Sequence, residues 1–114
     1  MTTVQQLYEA MQRIAPLELA EHWDNPGLLV DCAGEVTRVL VTLDITPEVV
    51  AEAAAKHCEA IVAHHPVIFD PLKKLGPQDV PFQLVRAGIS AVCMHTNLDL
   101  SLIHISEPTR LGMI

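Results

Sequence analysis

The sequence predicts an α/β domain built on a mostly parallel sheet with flanking helices. Two observations lead to this fold class. Apolar segments of strand length alternate with helical segments along the chain, and hydrophobic residues make up 50% of the sequence although aromatic residues make up only 4%. Such a core is filled mainly by Val, Leu, Ile and Ala from strands and helices together. A length of 114 residues is sufficient for one domain with its own core.

The first helix is predicted over about residues 4 to 15, where apolar side chains recur at helical spacing. Thr3 and Gln6 are the two residues of a capping box at its start, and Pro16 ends the pattern. An Asn-Pro-Gly turn follows further along the chain. This turn leads into a short apolar strand, which we predict over residues 28 to 30.

The next part of the chain predicts a strand, a helix and a second strand. Residues 37 to 43 are β-branched and aliphatic, as in a buried strand. Thr46 can cap the following helix, and Pro47 suits its first position. The continuous apolar run over residues 60 to 63 predicts the second buried strand.

A short helix over residues 81 to 87, ended by Gly88, leads into the last predicted strand, residues 89 to 94. Strands that alternate with helices in this way become parallel neighbours joined by right-handed crossovers. The carboxyl ends of these strands therefore meet at one edge of the sheet, where open α/β sheets bind their ligands.

Five residues with metal-binding or acid-base side chains follow the predicted strands and map to this edge: Asp44, His64, His65, His95 and Asp99. Imidazole nitrogens with a carboxylate oxygen suit zinc, iron, manganese or cobalt, whereas calcium prefers oxygen ligands alone. We predict a divalent-metal site with His64, His65 and Asp99 as ligands. His95 is either a further ligand or a supporting residue. Asp44 either orients a metal-bound water or forms a turn before the helix.

The adjacent histidines raise a geometric question. Successive residues of a regular strand point to opposite faces of the sheet, so His64 and His65 cannot easily bind one ion from within a strand. Either the strand ends before them or the two histidines address two different ions. Within a hydrolytic site, His95 and Asp44 are the candidate catalytic residues, because either could orient a water molecule or carry its proton.

Composition and charge exclude several other classes of function. A formal net charge of −7 and an isoelectric point near 5.2 argue against a nucleic-acid partner. No apolar run reaches the roughly 18 residues that a membrane span requires, so we expect no membrane partner and a cytoplasmic location. Cys32, Cys58 and Cys93 form no CxxC pair and are expected to be small buried hydrophobic residues. His22 and His57 are expected at the surface.

Four segments resemble, in this order and at this spacing, the amino-terminal half of the Nif-three-like family, whose members are often named GTP cyclohydrolase I type 2 homologs. The segments are WDNPGLLV (residues 23 to 30), TLD (42 to 44), AHHPVIF (63 to 69) and HTNLD (95 to 99). The resemblance runs from about Thr3 to Asp99 and implies a truncated part of the family's fold.

The resemblance also implies a dinuclear centre with two divalent ions per full-length subunit. His64 and His65 match the histidines that address the two ions, and Asp99 matches a carboxylate ligand to one of them. For a full-length protein the resemblance implies a toroidal homohexamer and a metal-dependent hydrolase that acts on a small molecule of unknown identity. A non-enzymatic metal-binding or regulatory protein is the alternative.

Residues 100 to 114 depart from the family pattern. Leu100 to Arg110 resembles the translation of a transposase sequencing adapter, so we expect residues 1 to 99 to be the amino-terminal part of the metal-binding domain and the tail to be an assembly artefact. The alternative is a short strand at the start of the tail. The histidine and glutamate that complete the family's centre have no counterpart here, and we therefore expect a fragment that binds metal weakly or has no function as it stands.

Overall fold

The computed structural model describes residues 2 to 98. Asp99 and residues 100 to 114 lie outside the described residues, so what the sequence predicts for them stays a prediction. In chain order the elements are β1 (Thr2–Thr3), α1 (Val4–Ile14), a 3-10 turn (Leu17–Leu19), β2 (Gly27–Val30), β3 (Glu35–Val36), β4 (Val39–Thr42), α2 (Pro47–Ala55), β5 (Ala60–Ala63), α3 (Val80–Ala87) and β6 (Ser90–Cys93).

The main sheet has four strands in the order β2-β6-β5-β4. Strands β4, β5 and β6 are parallel, which confirms the α/β class with a mostly parallel sheet. Strand β2 runs antiparallel to β6, and β1 pairs with β3 in a separate two-stranded ribbon. Neither arrangement was predicted, because no strand-helix crossover fixes the direction of these strands.

The caps predicted from the sequence are present. The Thr3 hydroxyl accepts a hydrogen bond from the Gln6 N–H (3.1 Å), and the Gln6 side chain accepts one from the Thr3 N–H (2.9 Å), which together complete the capping box. The Thr46 hydroxyl accepts from the Val49 N–H (3.2 Å) at the start of α2. Gly88 ends α3 with a φ of 71°, a left-handed conformation that glycine adopts without strain.

Helices cover the sheet on both faces. Helices α2 and α3 pack on one face through a cluster of buried apolar side chains: Val30, Val50, Ala53, Ile61, Leu84, Ile89 and Ala91. Helix α1 covers the other face near β6, where a second cluster contains Ala15, Val92 and Met94. None of the helices within residues 2 to 98 is long and apolar enough to cross a membrane.

The three cysteines are free thiols, and they contribute to packing as expected. Cys93 is fully buried on β6, whereas Cys32 and Cys58 are partly buried against the cluster under α2 and α3. Burial raises the pKa of the Cys93 thiol to about 11. The free thiol of Cys93 is therefore protonated at neutral pH.

The buried centre of the sheet should dominate the stability of the fold. Ile61 on β5 is completely buried, whereas Val41 on the neighbouring edge strand β4 is 77% exposed. We expect Ile61→Ala to lower the free energy of unfolding by about 2 to 5 kcal/mol and Val41→Ala to lower it by less than about 1 kcal/mol. Urea denaturation followed by circular dichroism measures both values. Equal losses would contradict this assignment of the core.

Candidate metal centre

Three histidines meet at the carboxyl edge of the parallel strands. His64 and His65 directly follow the end of β5, and His95 comes just after the end of β6. The His64 N–H donates to the Thr42 carbonyl oxygen (3.3 Å), and the His65 N–H donates to the Leu43 carbonyl oxygen (3.0 Å). These bonds hold the two adjacent histidines against the end of β4.

The side chains of the three histidines form one cluster. One ring nitrogen from each of His64, His65 and His95 lies within 4.8 Å of the corresponding nitrogens of the other two. The ring centroids are 5.1 Å apart for His64 and either neighbour, and 5.5 Å apart for His65 and His95. Strand β5 ends before the pair, so the alternation of a regular strand does not separate the adjacent rings.

Asp44 holds the ring of His65. Its Oδ1 lies 2.5 Å from His65 Nδ1, and the backbone turn at Asp44 is supported by the Thr42 hydroxyl, which donates to the Asp44 carbonyl oxygen (3.0 Å). When Nδ1 donates to a carboxylate, the lone pair of the neutral imidazole is on Nε2. Carboxylate-histidine pairs of this kind orient ligands in many metal sites. Asp44, predicted at this edge, is thus placed behind a histidine ring.

Asp24 holds the ring of His95 in the same way. Its Oδ1 lies 3.0 Å from His95 Nδ1, and its side chain is completely buried. The other oxygen, Oδ2, accepts from the Thr96 N–H (2.9 Å) and from the Thr96 hydroxyl (2.6 Å). The Asn25 N–H donates to Oδ1 (2.8 Å). The hydrogen bonds of this carboxylate therefore connect the turn before β2 to the segment after β6.

The hydrogen bonds to Asp24 also keep it ionised. Burial alone would raise the pKa of this carboxyl group, but the bonds from the Thr96 hydroxyl and His95, with those from two backbone N–H groups, outweigh burial and lower the pKa to about 2. A carboxylate that is ionised at neutral pH can only accept a hydrogen bond, so His95 Nδ1 is the donor in this pair. Nε2 of His95 is then available for a ligand.

The segment that carries His95 is anchored on both sides. The Asn97 Oδ1 accepts from the His95 N–H (2.9 Å), and the buried Asn97 amide donates to the Ala15 carbonyl oxygen at the end of α1 (2.8 Å). The Thr96 hydroxyl accepts from the Glu21 N–H (2.8 Å). These hydrogen bonds satisfy the buried side chains of Thr96 and Asn97, and they fix the backbone at His95.

Five histidines and carboxylates were predicted at this edge of the sheet. The structure brings the three histidines together as a cluster and places Asp44 beside His65. Asp99 lies outside the described part of the chain. His22 and His57 are exposed, as expected. Asp24 was not predicted as a site residue. It is 71 residues from His95 in the chain, it does not follow a predicted strand, and its spacing from the histidines matches no metal-ligand motif. Its position in the WDNP turn was the available signal.

The fold and the cluster define an α/β protein with three histidines at the carboxyl edge of a mostly parallel sheet. A family model described as Duf34/NIF3 (NGG1p interacting factor 3) matches residues 2–102. The chain belongs to this family, and the resemblance noted in its sequence segments is confirmed.

Two curated relatives show how much of the family's length this chain represents. NGG1-interacting factor 3 of Saccharomyces cerevisiae is 37% identical over 108 residues, which cover 82% of this chain and 38% of that protein. GTP cyclohydrolase 1 type 2 of Helicobacter pylori is 36% identical over 104 residues, which cover 87% of this chain and 42% of that protein. The chain thus spans less than half the length of either relative.

Solved structures give the same family and fold. The Staphylococcus aureus protein SA1388 matches with a TM-score of 0.80 at 39% identity, over 86% of this chain and 34% of that one. Reduced HcgD from Methanocaldococcus jannaschii matches with a TM-score of 0.78 at 26% identity, over 86% of this chain and 41% of that one. The described region is therefore similar in fold to part of each larger protein.

The ionised Asp24 should make a pH-dependent contribution to stability. A folded-state pKa of about 2, below the ordinary 3.8, stabilises the fold above pH 3.8, and this contribution disappears as the pH falls towards 2. In metal-free protein with a chelator present, we expect Asp24→Asn to be less stable than the unmutated chain at neutral pH. This gap should narrow by about 1 to 2 kcal/mol on acidification through that range.

Urea denaturation at several pH values measures the gap. Asp70→Asn, which changes an exposed aspartate in the loop after β5, is the matched control and should track the unmutated chain. A gap for Asp24→Asn that stays constant from neutral pH to pH 2 would show that the Asp24 carboxylate does not stabilise the fold through its charge.

Proposed function

We propose that His64, His65 and His95 bind a divalent metal ion and that the full-length protein is a metal-dependent hydrolase. The observation that carries the proposal is the three-histidine cluster, in which one nitrogen of each ring lies within 4.8 Å of the others. Neutral imidazoles are suitable ligands for zinc, iron, manganese and cobalt. The donor set of this chain therefore fits such an ion.

The two carboxylates support His95 as a ligand rather than as a catalytic residue. His95 Nδ1 is bonded to Asp24, just as His65 Nδ1 is bonded to Asp44. Both histidines can then present Nε2 to an ion while each keeps the Nδ1 proton that it donates to its carboxylate. In this proposal His95 joins the ligands predicted from the sequence, and the predicted Asp99 supplies a carboxylate.

The proposed centre contains two ions per full-length subunit, as the family resemblance implies. A bound divalent ion supplies an activated water molecule and polarises the bond to be hydrolysed. Asp44 is the proton acceptor that we propose within this chain, because its side chain is 58% exposed whereas Asp24 is completely buried. An exposed carboxylate can exchange a proton with solvent or substrate, and a buried ionised one serves to position His95.

The substrate in this proposal is a small molecule. The name of the Helicobacter pylori relative, GTP cyclohydrolase 1 type 2, makes GTP the first compound to test. We also propose the homohexamer and the cytoplasmic location for the full-length protein. The second candidate is a regulatory metal-binding protein without enzymatic activity, which the name of the yeast relative, NGG1-interacting factor 3, favours.

Metal affinity tests the first part of the proposal. We expect His64→Ala, His65→Ala and His95→Ala each to weaken cobalt(II) binding, and Asp44→Asn to weaken it by about 10- to 100-fold because the His65 ring loses its orientation. Visible absorption of cobalt during titration measures the affinity. His57→Ala, which removes an exposed histidine, is the matched control. Identical titration curves for the cluster variants and the control would refute the site.

Turnover separates the two candidate functions. With manganese(II) at saturating concentration, we expect the full-length protein to consume GTP and its Asp44→Asn variant to do so about 100-fold more slowly, because a proton acceptor is lost. Chromatography of the nucleotide measures the rate, and equilibrium dialysis confirms that the variant is still loaded with metal. A metal-loaded full-length protein that leaves GTP intact would favour the regulatory function.

A further inference from the structure

Two exposed aromatic rings stand next to the histidine cluster. The chain has only one Trp, one Tyr and two Phe residues. Trp23 and Phe69 lie with their ring centroids 6.2 Å apart, and the centroid of Trp23 is 6.3 Å from that of His95. Trp23 is 53% exposed and Phe69 is 49% exposed. Half of the chain's few aromatic residues are thus concentrated at the rim of the proposed metal site.

The backbone next to both rings is held in place by partly buried hydrogen bonds. Trp23 directly precedes Asp24, whose carboxylate is bonded to the segment after β6. The side-chain amide of Asn25 donates to the carbonyl oxygen of Ile68 (2.7 Å), which directly precedes Phe69. The two rings therefore project from segments that are tied to each other and to the cluster, and little ordering is needed when they bind a ligand.

The orientation of the rings leaves aromatic faces available. Trp23 and Phe69 meet at 75°, and Trp23 and His95 meet at 82°, so both pairs are edge-to-face. In an edge-to-face pair, the ring that contributes its edge keeps both faces uncovered by its partner. A pair stacked in parallel would instead bury one face of each ring. This arrangement can accept a third planar ring against an exposed face.

Exposed apolar residues elsewhere in the described chain are of a different kind. The other large ones are aliphatic: Ile14, Val39, Val41, Leu43, Leu72, Leu75 and Val85. Of the remaining aromatic residues, Tyr8 packs against the cluster under α1, and the Phe82 ring is covered by the guanidinium group of Arg86 at 4.9 Å. Within residues 2 to 98, exposed aromatic surface is therefore found beside the histidines.

We propose that Trp23 and Phe69 form a subsite that stacks on a planar aromatic or heteroaromatic ring of the ligand, while the polar part of that ligand reaches the histidine cluster. The part of this proposal in which the polar end of the ligand reaches the histidines rests on the proposed metal site. The stacking on Trp23 and Phe69 does not require an ion. The subsite selects ligands that contain a ring over aliphatic ones. It assigns a specificity-determining role to two residues that bind no metal.

Trp23 provides its own reporter, because it is the single tryptophan of the chain. We expect guanosine to quench the tryptophan fluorescence of the 114-residue chain with a saturable dependence on concentration, after correction against free N-acetyltryptophanamide. Ribose at the same concentrations, which lacks the ring, should leave the emission unchanged. The absence of saturable quenching by guanosine, in protein that still binds cobalt(II), would overturn the proposal.

Variants assign the binding to the two rings. Stacking energies of about 1 to 3 kcal/mol correspond to roughly 5- to 150-fold in affinity, so we expect Phe69→Leu to weaken guanosine binding by about 10-fold. Phe82→Leu is the matched control and should bind as the unmutated chain does. In equilibrium dialysis Trp23→Leu should lose binding, whereas Trp23→Phe should retain most of it because a ring is restored.

Cobalt titrations of the same variants separate this proposal from the metal site. Trp23→Leu and Phe69→Leu should bind cobalt(II) with unchanged affinity. Binding of guanosine by Trp23→Leu at the affinity of the unmutated chain would overturn the ring subsite and leave the metal site standing. Loss of guanosine binding in both ring variants, in a chain that does not bind cobalt(II), would support the subsite and refute the proposed metal site.

Discussion

The register of the three parallel strands determines where every residue of the site lies. Thr42 on β4 pairs with Ala63 on β5, and Ala63 pairs with Cys93 on β6, so the three strands end at the same level. His64 and His65 directly follow β5, and Asp44 and His95 lie two residues beyond the ends of β4 and β6. A shift of this register by one residue would turn the flanking side chains to the opposite face and separate the cluster.

Two carboxylates of unlike environment then orient the rings. Asp24 is buried and held by four hydrogen bonds, and its low pKa keeps it charged. Asp44 is more than half exposed and makes a short contact with His65. The buried carboxylate connects distant segments of the chain, so it stabilises the fold as well as orienting His95. The exposed carboxylate is open to solvent, which suits it to proton exchange.

The sequence predicted those elements whose formation depends on residues close together in the chain. Periodicity, caps and crossover logic located α1, α2, α3 and the parallel strands, and strand ends identified the edge where His64 and His65 lie. Strand β2 was located but its direction was not, because pairing across the sheet depends on contacts distant in the chain. The same limit applies to Asp24, since its partners are the distant His95 and Thr96. The roles predicted for Asp99 remain predictions.

X-ray absorption spectroscopy of the zinc-loaded chain tests most directly the claim that the histidine cluster binds metal. We expect a first shell of nitrogen and oxygen atoms at about 2.0 to 2.1 Å, with the outer-shell scattering that imidazole rings produce. Replacement of His95 by alanine should reduce that imidazole signal. A first shell that contains sulfur, or one that lacks imidazole scattering, would contradict the claim, because the metal would then be bound by cysteine or by surface carboxylates.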